Sequence, residues 1–185
     1  MNRAEYLVSP LLSRAGFRHA FFTRRGGVSS GPFRSLNFSI KVGDTPENVA
    51  RNLERAAASL NMLRSEIFFA SQVHGRTVRE LTERDTPEEL VFVSADALVA
   101  RRPGLGCAVR TADCVPILLA DPQTGAVGAA HAGWRGVVSG ILDATLESLR
   151  GFGASADRLI AAVGPHISRA AFEVSEDVAQ AIAGA

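Results

Sequence analysis

The chain has little of what marks several functional classes. No apolar run is long enough to cross a bilayer, and Met1 to Leu12 lack a basic segment followed by an apolar stretch, so a cytoplasmic protein with no membrane partner is expected. Cysteine is scarce: Cys107 and Cys114 are the only two, close together and without a secretion signal, which predicts reduced thiols rather than a structural disulfide. Excess charge is missing too. Twenty basic residues against 19 acidic ones leave a net charge of +1. The arginines are dispersed, so the electrostatic footprint of a nucleic-acid binder is absent and a small-molecule partner is expected. No repeat, low-complexity stretch or Pro/Ser-rich linker divides the sequence.

What is present is enough apolar material for a core. Of 185 residues, 46% are hydrophobic, which fits one domain spanning 1–185. Short apolar runs alternate with helical patterns, predicting a mixed α/β (α+β) fold. Phe21 to Arg24 reads as a strand entering a turn at Gly26 and Gly27. Thr45 is placed to cap a helix with Pro46 at its first position and an apolar stripe at Val49, Leu53, Ala56, Ala57 and Leu60. Ile67 to Ala70 reads as a buried strand leading to Ser71, Gln72 and His74, with Thr77 to Leu81 pairing back on it. Leu105 to Arg110 and Val115 to Ala120 flank the segment Thr111 to Cys114, and Asp121 to Gly125 is a turn signal. Ala126 to Ala130 reads as a small-residue strand, with His131 to Gly136 in the bend before a helix. That helix carries Val138, Ile141, Leu142, Thr145 and Leu149 on one face and stops at Gly151. Leu159 to Val163 is expected as a buried strand ending at Gly164, Pro165 and His166, and Ser175 as the cap of a last helix.

Three residues, His74, Cys114 and His131, fall where apolar strands run into turns, which is where sites are built. Two imidazoles and a thiolate are a donor set that zinc accepts in catalytic sites with a fourth position open, and copper tolerates them as well. Their spacing makes no compact ligand motif, and two alternatives stand beside the metal reading, the nucleophile fitting the residue types equally well. Cys114 could be an inert buried thiol, or a nucleophile activated by His131 or His74 with Asp113 or Asp96 as orienting group, as in a cysteine hydrolase. Cys107, inside an apolar strand, reads as inert. Arg135 and Arg24, each beside a glycine-rich bend, could hold an anion such as phosphate or form surface ion pairs. Asp113 and Asp96 could accept from a metal-bound imidazole or cap local turns.

Six segments taken in order carry a resemblance: FFTRRGGVSSGPFRSLNFSIKVGD (Phe21 to Asp44), VARN (Val49 to Asn52), SQVHG (Ser71 to Gly75), ADALV (Ala95 to Val99), TADCVPILL (Thr111 to Leu119) and AAHAGWRG (Ala129 to Gly136). Together they resemble the YfiH or laccase-domain family of purine nucleoside phosphorylases, formerly described as polyphenol oxidases and also as peptidoglycan editing factors. The resemblance implies mixed β-sheets packed as a sandwich with flanking helices. It also implies metal ligation by His74, Cys114 and His131, with zinc or copper bound, and makes these three and Arg135 the catalytic set. Arg24, Asn37, Gln72, Asp113 and Arg135 become candidates for substrate or phosphate contact. The implied activity is phosphorolysis of adenosine, inosine and methylthioadenosine, with adenosine deamination beside it. A metal at the three ligands would polarise a water for attack at the purine C6 position. Copper-dependent phenol oxidation and editing of cell-wall precursors are the other activities that the family names suggest. Two departures stand out: His166 occupies a position where the family commonly has cysteine, and the chain is expected to lack the family's usual C-terminal segment.

Overall fold

The computed structural model describes residues 3–184, and the chain divides into two compact units, Met1–Ile67 and Phe68–Ala185. The architecture is mixed α+β. No helix among the described residues is long and apolar enough to cross a membrane.

The N-terminal unit contains β1 (Tyr6–Leu7), α1 (Pro10–Arg14), β2 (Phe21–Phe22) and α2 (Pro46–Ser59), with β1 and β2 antiparallel. Helix α2 begins as its sequence dictates. Thr45 Oγ1 accepts from the Asn48 amide, Pro46 occupies the first turn where no amide is required, and Val49, Ala56 and Ala57 are buried. The expected strand at Phe21 to Arg24 stops after two residues. Main-chain bonds from Ser35 and Leu36 to the Arg24 carbonyl fold residues 24–36 into a loop instead. A polar network binds this loop to α2. Asn52, fully buried, donates to the Ser29 hydroxyl and the Asn37 carbonyl and accepts from the Val28 amide. Asp44 accepts from Ser29 (2.6 Å) and from the Asn37 side chain (2.9 Å).

The C-terminal unit is built on a five-stranded sheet. Its elements are β3 (Ile67–Phe69, which starts at the boundary residue), β4 (Val78–Glu80), α3 (Pro87–Leu90), β5 (Ala97–Ala100) and β6 (Gly106–Ala108). They continue with β7 (Val115–Ala120), β8 (Val127–Ala132), α4 (Trp134–Val138), α5 (Ile141–Gly151), β9 (Ile160–Val163) and α6 (Glu176–Ala183). The large sheet runs β4-β5-β8-β7-β9, and β3 pairs with β6 in a separate ladder. Strands β7 and β8 form a hairpin whose turn is tied by Asp121, which accepts from Gln123 and Thr124. Helix α5 lays Ile141, Thr145 and Leu149, all fully buried, over the sheet. Burying each of the two aliphatic side chains stabilises the unit by about 1.5–3 kcal/mol.

Four expectations are corrected here. The strand after His74 does not pair back on β3; β4 runs parallel to β5, a partner that local sequence does not reveal. Strand β8 extends through His131 to Ala132, because its pairing with β7 continues from Ala120↔Val127 to Val115↔Ala132, so His131 lies in a strand and not in a bend. The single helix is two, broken at Gly140, whose left-handed φ of 83° ends α4 and starts α5; Val138 and Leu142 are consequently exposed, and α5 includes Gly151. Strand β9 is an edge strand rather than a buried one, with Val163 59% exposed.

The Asp44 network makes a testable statement. The Ser29 hydroxyl and then the Asn37 amide lower the carboxyl, burial opposes them, and Asn48 and the Thr45 amide add to the lowering, leaving it at about 2 instead of 3.8. Since the folded value lies below the unfolded one, this carboxylate's contribution is complete above pH about 4 and is lost as the pH falls toward 2. Thermal midpoints of the parent and Asp44→Asn, measured across that interval, are expected to converge as the pH is lowered; parallel curves would refute the assignment.

Candidate metal centre

Sheet register assembles the candidate site. Strands β4, β5 and β7 begin at the end of the sheet where β8 finishes, since β4 and β5 are parallel and β8 is antiparallel to both β5 and β7. His74 precedes β4, Asp96 immediately precedes β5, Cys114 immediately precedes β7, and His131 is the penultimate residue of β8. Residues far apart in sequence therefore meet at one sheet end. One ligand atom from each of His74, Cys114 and His131 falls within 4.8 Å of the others. The two imidazole rings meet edge to face with centroids 4.8 Å apart.

Asp96 organises this cluster. It is fully buried, and its Oδ1 accepts from His131 Nδ1 (2.8 Å) and the His74 amide (2.9 Å), while Oδ2 accepts from the amides of Gly75 (2.8 Å) and Val73 (3.2 Å). Burial would raise its carboxyl, but these four donors more than offset it and hold the group below the usual carboxylate range. The Nδ1 bond leaves His131 Nε2 as the atom free to ligate. His74 itself has φ 60°, a left-handed conformation uncommon for a residue with a side chain, and the three amides on Asp96 hold it there.

Cys114 is half-buried, and its thiol is raised by burial and by the negative charges of Asp113 and Asp96. Activated nucleophilic cysteines show the opposite shift. A thiol in such surroundings ionises when a cation is supplied, which fits a metal ligand. The main chain also makes room for one. Gly133 lies opposite Cys114 in the continuing β7–β8 register, and a Cβ there would stand 2.8 Å from His74 Cδ2 and 3.2 Å from Cys114 Sγ. Glycine is the residue that lets the three donors close up. The set, two imidazoles and one thiol with an oriented histidine, suits a borderline transition metal such as zinc and leaves a fourth position. Exposure rises from buried His131 through half-buried Cys114 to exposed His74, so the group is open to solvent on the His74 side.

The remaining sequence candidates are scattered. Gln72 is engaged at both ends of its amide by the Arg110 main chain (2.7 and 2.8 Å). Asp113 is exposed with φ 87°, and its carbonyl accepts from the Ile167 amide; Asp96, not Asp113, is the carboxylate that meets an imidazole. Arg135 is exposed, with its guanidinium 4.8 Å from the Trp134 ring centroid. His166 is exposed and contacts the Ile167 carbonyl, outside the three-residue group. Cys107 is pushed up by burial, as an inert thiol should be. In the N-terminal unit, Arg24 and Asn37 line a cavity of about 420 Å³ with Phe33, Arg34, Leu36 and Val42. Arg24 spends Nε and Nη2 on the Arg34 carbonyl, and Asn37 is bound to Ser39 and Asp44. Gly133 and the Val73 to Gly75 amides were not legible as site residues, because their part is played by main chain and by empty space.

Comparison with known proteins places these features in a wider set. A family model described as multi-copper polyphenol oxidoreductase laccase matches residues 18–185. A Deinococcus radiodurans protein named purine nucleoside phosphorylase is 46% identical over 161 residues, covering 87% of this chain and 61% of that protein. A Streptomyces griseus protein, purine nucleoside phosphorylase ORF3, is 40% identical over 181 residues, covering 98% and 72% respectively. The chain thus spans 61% and 72% of the length of these two relatives. Among solved structures, that of the Bacillus licheniformis hypothetical protein YfiH superposes with a TM-score of 0.84 at 32% identity, over 89% of this chain and 64% of that one. YlmD from Geobacillus stearothermophilus gives 0.81 at 31%, over 89% and 63%.

Gly133→Ala tests the geometry directly. Overpacking of this kind costs about 1–3 kcal/mol, and here it falls on two ligand side chains. The variant is expected to bind less zinc per chain than the parent after dialysis, by metal analysis; full zinc occupancy in Gly133→Ala would mean the donors do not close as described.

Proposed function

The chain belongs to the multi-copper polyphenol oxidoreductase laccase family, and on that footing we propose that it is a zinc-dependent purine nucleoside phosphorylase that also deaminates adenosine. The observation that carries the metal part is the convergence of His74, Cys114 and His131 at one sheet end. The names of the Deinococcus and Streptomyces relatives support the reaction class.

In phosphorolysis a phosphate oxygen forms a bond to the ribose C1 carbon, the bond from that carbon to the purine nitrogen breaks, and the base leaves with the electron pair and takes up a proton. Zinc bound by the three side chains would supply Lewis acidity toward an oxygen in its fourth position. His131, held by Asp96, keeps Nε2 aimed at the centre. His74 forms its exposed rim, where substrate enters. Arg135 makes no ion pair among the described residues, so its guanidinium is free to hold phosphate. Arg24 and Asn37, on the wall of their own cavity, are proposed as further substrate contacts, with the second Arg24 role of bracing the loop at Arg34. Gln72 and Asp113 act through the loops that they fix.

For deamination the same three side chains would hold the zinc, which would supply activation of an oxygen nucleophile toward a purine carbon, as in zinc deaminases. The cysteine hydrolase reading uses the same Cys114 and His131 with Asp96 as the orienting group, and zinc uptake by the parent separates the two. Phenol oxidation by several coppers needs more donors than the one group of three found among the described residues.

Incubation of the zinc-loaded chain with adenosine and phosphate is expected to yield adenine and ribose 1-phosphate, with inosine from deamination. Cys114→Ala should lose bound zinc and both products, falling to the no-enzyme background. A metal-free Cys114→Ala protein that turned adenosine over at the parent rate would end the proposal, and products without zinc uptake by the parent would end its metal part.

A further inference from the structure

We infer that Asp96 is the positioning residue of this centre: one carboxylate that fixes both histidine ligands, selecting Nε2 of His131 for the metal and locking His74 in its left-handed turn. The inference rests on the metal reading above and concerns how this chain prepares the site before any metal arrives.

Asp96 sits at a strand start that touches both histidine-bearing segments. Its main chain is locked on each side: its amide donates to the Thr77 carbonyl (2.9 Å), and its carbonyl accepts from the His131 amide (2.7 Å). The β5–β8 register, Ala97↔Ala130, puts Asp96 directly across from His131, and the β4–β5 register, Val78↔Ala97, puts it across from Thr77, at the foot of the His74 turn. The side chain then repeats on both sides what the main chain does. Oδ1 is shared between the His131 ring and the His74 amide, and Oδ2 takes the two amides that flank His74.

All four groups facing the carboxylate are donors, and this makes the site intolerant of its near-isostere. Asparagine offers one acceptor oxygen and one donor NH2. If the NH2 faces the Val73 and Gly75 amides, donor meets donor and the turn holding His74 is released. If it faces His131, the ring must accept at Nδ1, which moves the ring proton to Nε2, the atom meant for the metal. Either rotamer spoils one ligand. A carboxylate that only filled space or tied a loop would not dictate which ring nitrogen carries the proton.

The test uses the full chain. Zinc affinity is measured by chelator competition for the parent and Asp96→Asn, and the ring nitrogens of His131 are observed by nitrogen-15 NMR in the zinc-loaded parent. Asp96→Asn is expected to bind zinc about ten- to a hundredfold more weakly, the usual effect of removing an outer-shell partner. The parent ring is expected to carry its proton on Nδ1. A folded Asp96→Asn protein with zinc affinity equal to the parent's would overturn the inference. Should that variant fail to fold, the parent spectrum decides alone, since a proton on Nε2 of His131 is incompatible with the role. A parent that takes up no zinc overturns the metal reading itself, whereas a zinc-binding parent with an indifferent Asp96→Asn overturns only this step.

Discussion

The register of three neighbouring strands, β5, β8 and β7, is the constraint on which the site depends. Pairing Ala97 with Ala130 sets Asp96 against His131, and pairing Val115 with Ala132 sets Cys114 against Gly133. Side chains alternate faces along a strand, so a slip of one residue would turn His131 to the opposite face of the sheet and take Asp96 away from its ring. The register is in turn protected by what lies around it. The hairpin turn between β7 and β8 is tied by buried Asp121, which also accepts from the Ser155 amide and the Arg158 side chain beyond α5, and the sheet is capped by Ile141 and Leu149. The apolar core thus also bears on the site, because Ile141 packs on Ala97, Ala130, Ala132 and Val115, the strand residues beside Asp96, His131 and Cys114.

Electrostatics explains why these donors sit together. A buried carboxylate and a thiol next to it repel as anions, and both Asp96 and Asp113 work against ionisation of Cys114. Two neutral imidazoles add no charge. A divalent cation would be offset by the thiolate and by the Asp96 carboxylate behind His131, with Asp113 a further negative charge nearby. Without a cation the same surroundings favour the neutral thiol, and a bound cation would favour the thiolate.

Much of this was legible in the sequence where the cause is local. Thr45-Pro46 marked the start of α2, Asp121 to Gly125 marked the hairpin turn, and the motifs around His74, Cys114 and His131 pointed to a shared site. The misreadings have non-local causes. Strand β8 reads Val-Gly-Ala-Ala-His-Ala, with little β-branched character, and its length is set by β7 across the ladder, not by its own composition. The apolar spacing from Val138 to Leu149 continues across Gly140, but the backbone there does not. The parallel partner of β4 lies beyond an intervening helix. Asp96 had the same standing as Asp113 in the sequence, and only the ladder distinguishes the carboxylate that faces a histidine from the one that faces solvent.

The gradient of burial across the three donors has a mechanistic consequence. His131 is buried and held by a ring bond and a main-chain bond to the same residue, and forms the inner wall of the centre. His74 is exposed, and its position depends on the left-handed turn together with the edge-to-face contact of its ring on His131. Chemistry at such a site must be approached from the His74 side, where a ligand can be reached without disturbing the sheet. The strain of a left-handed histidine is therefore stored at the open edge and balanced at the closed one, by amides that point into the sheet at Asp96. The constraint lies inside and the accessible donor outside, so the exposed side chain is reached without disturbing the register that assembled the group.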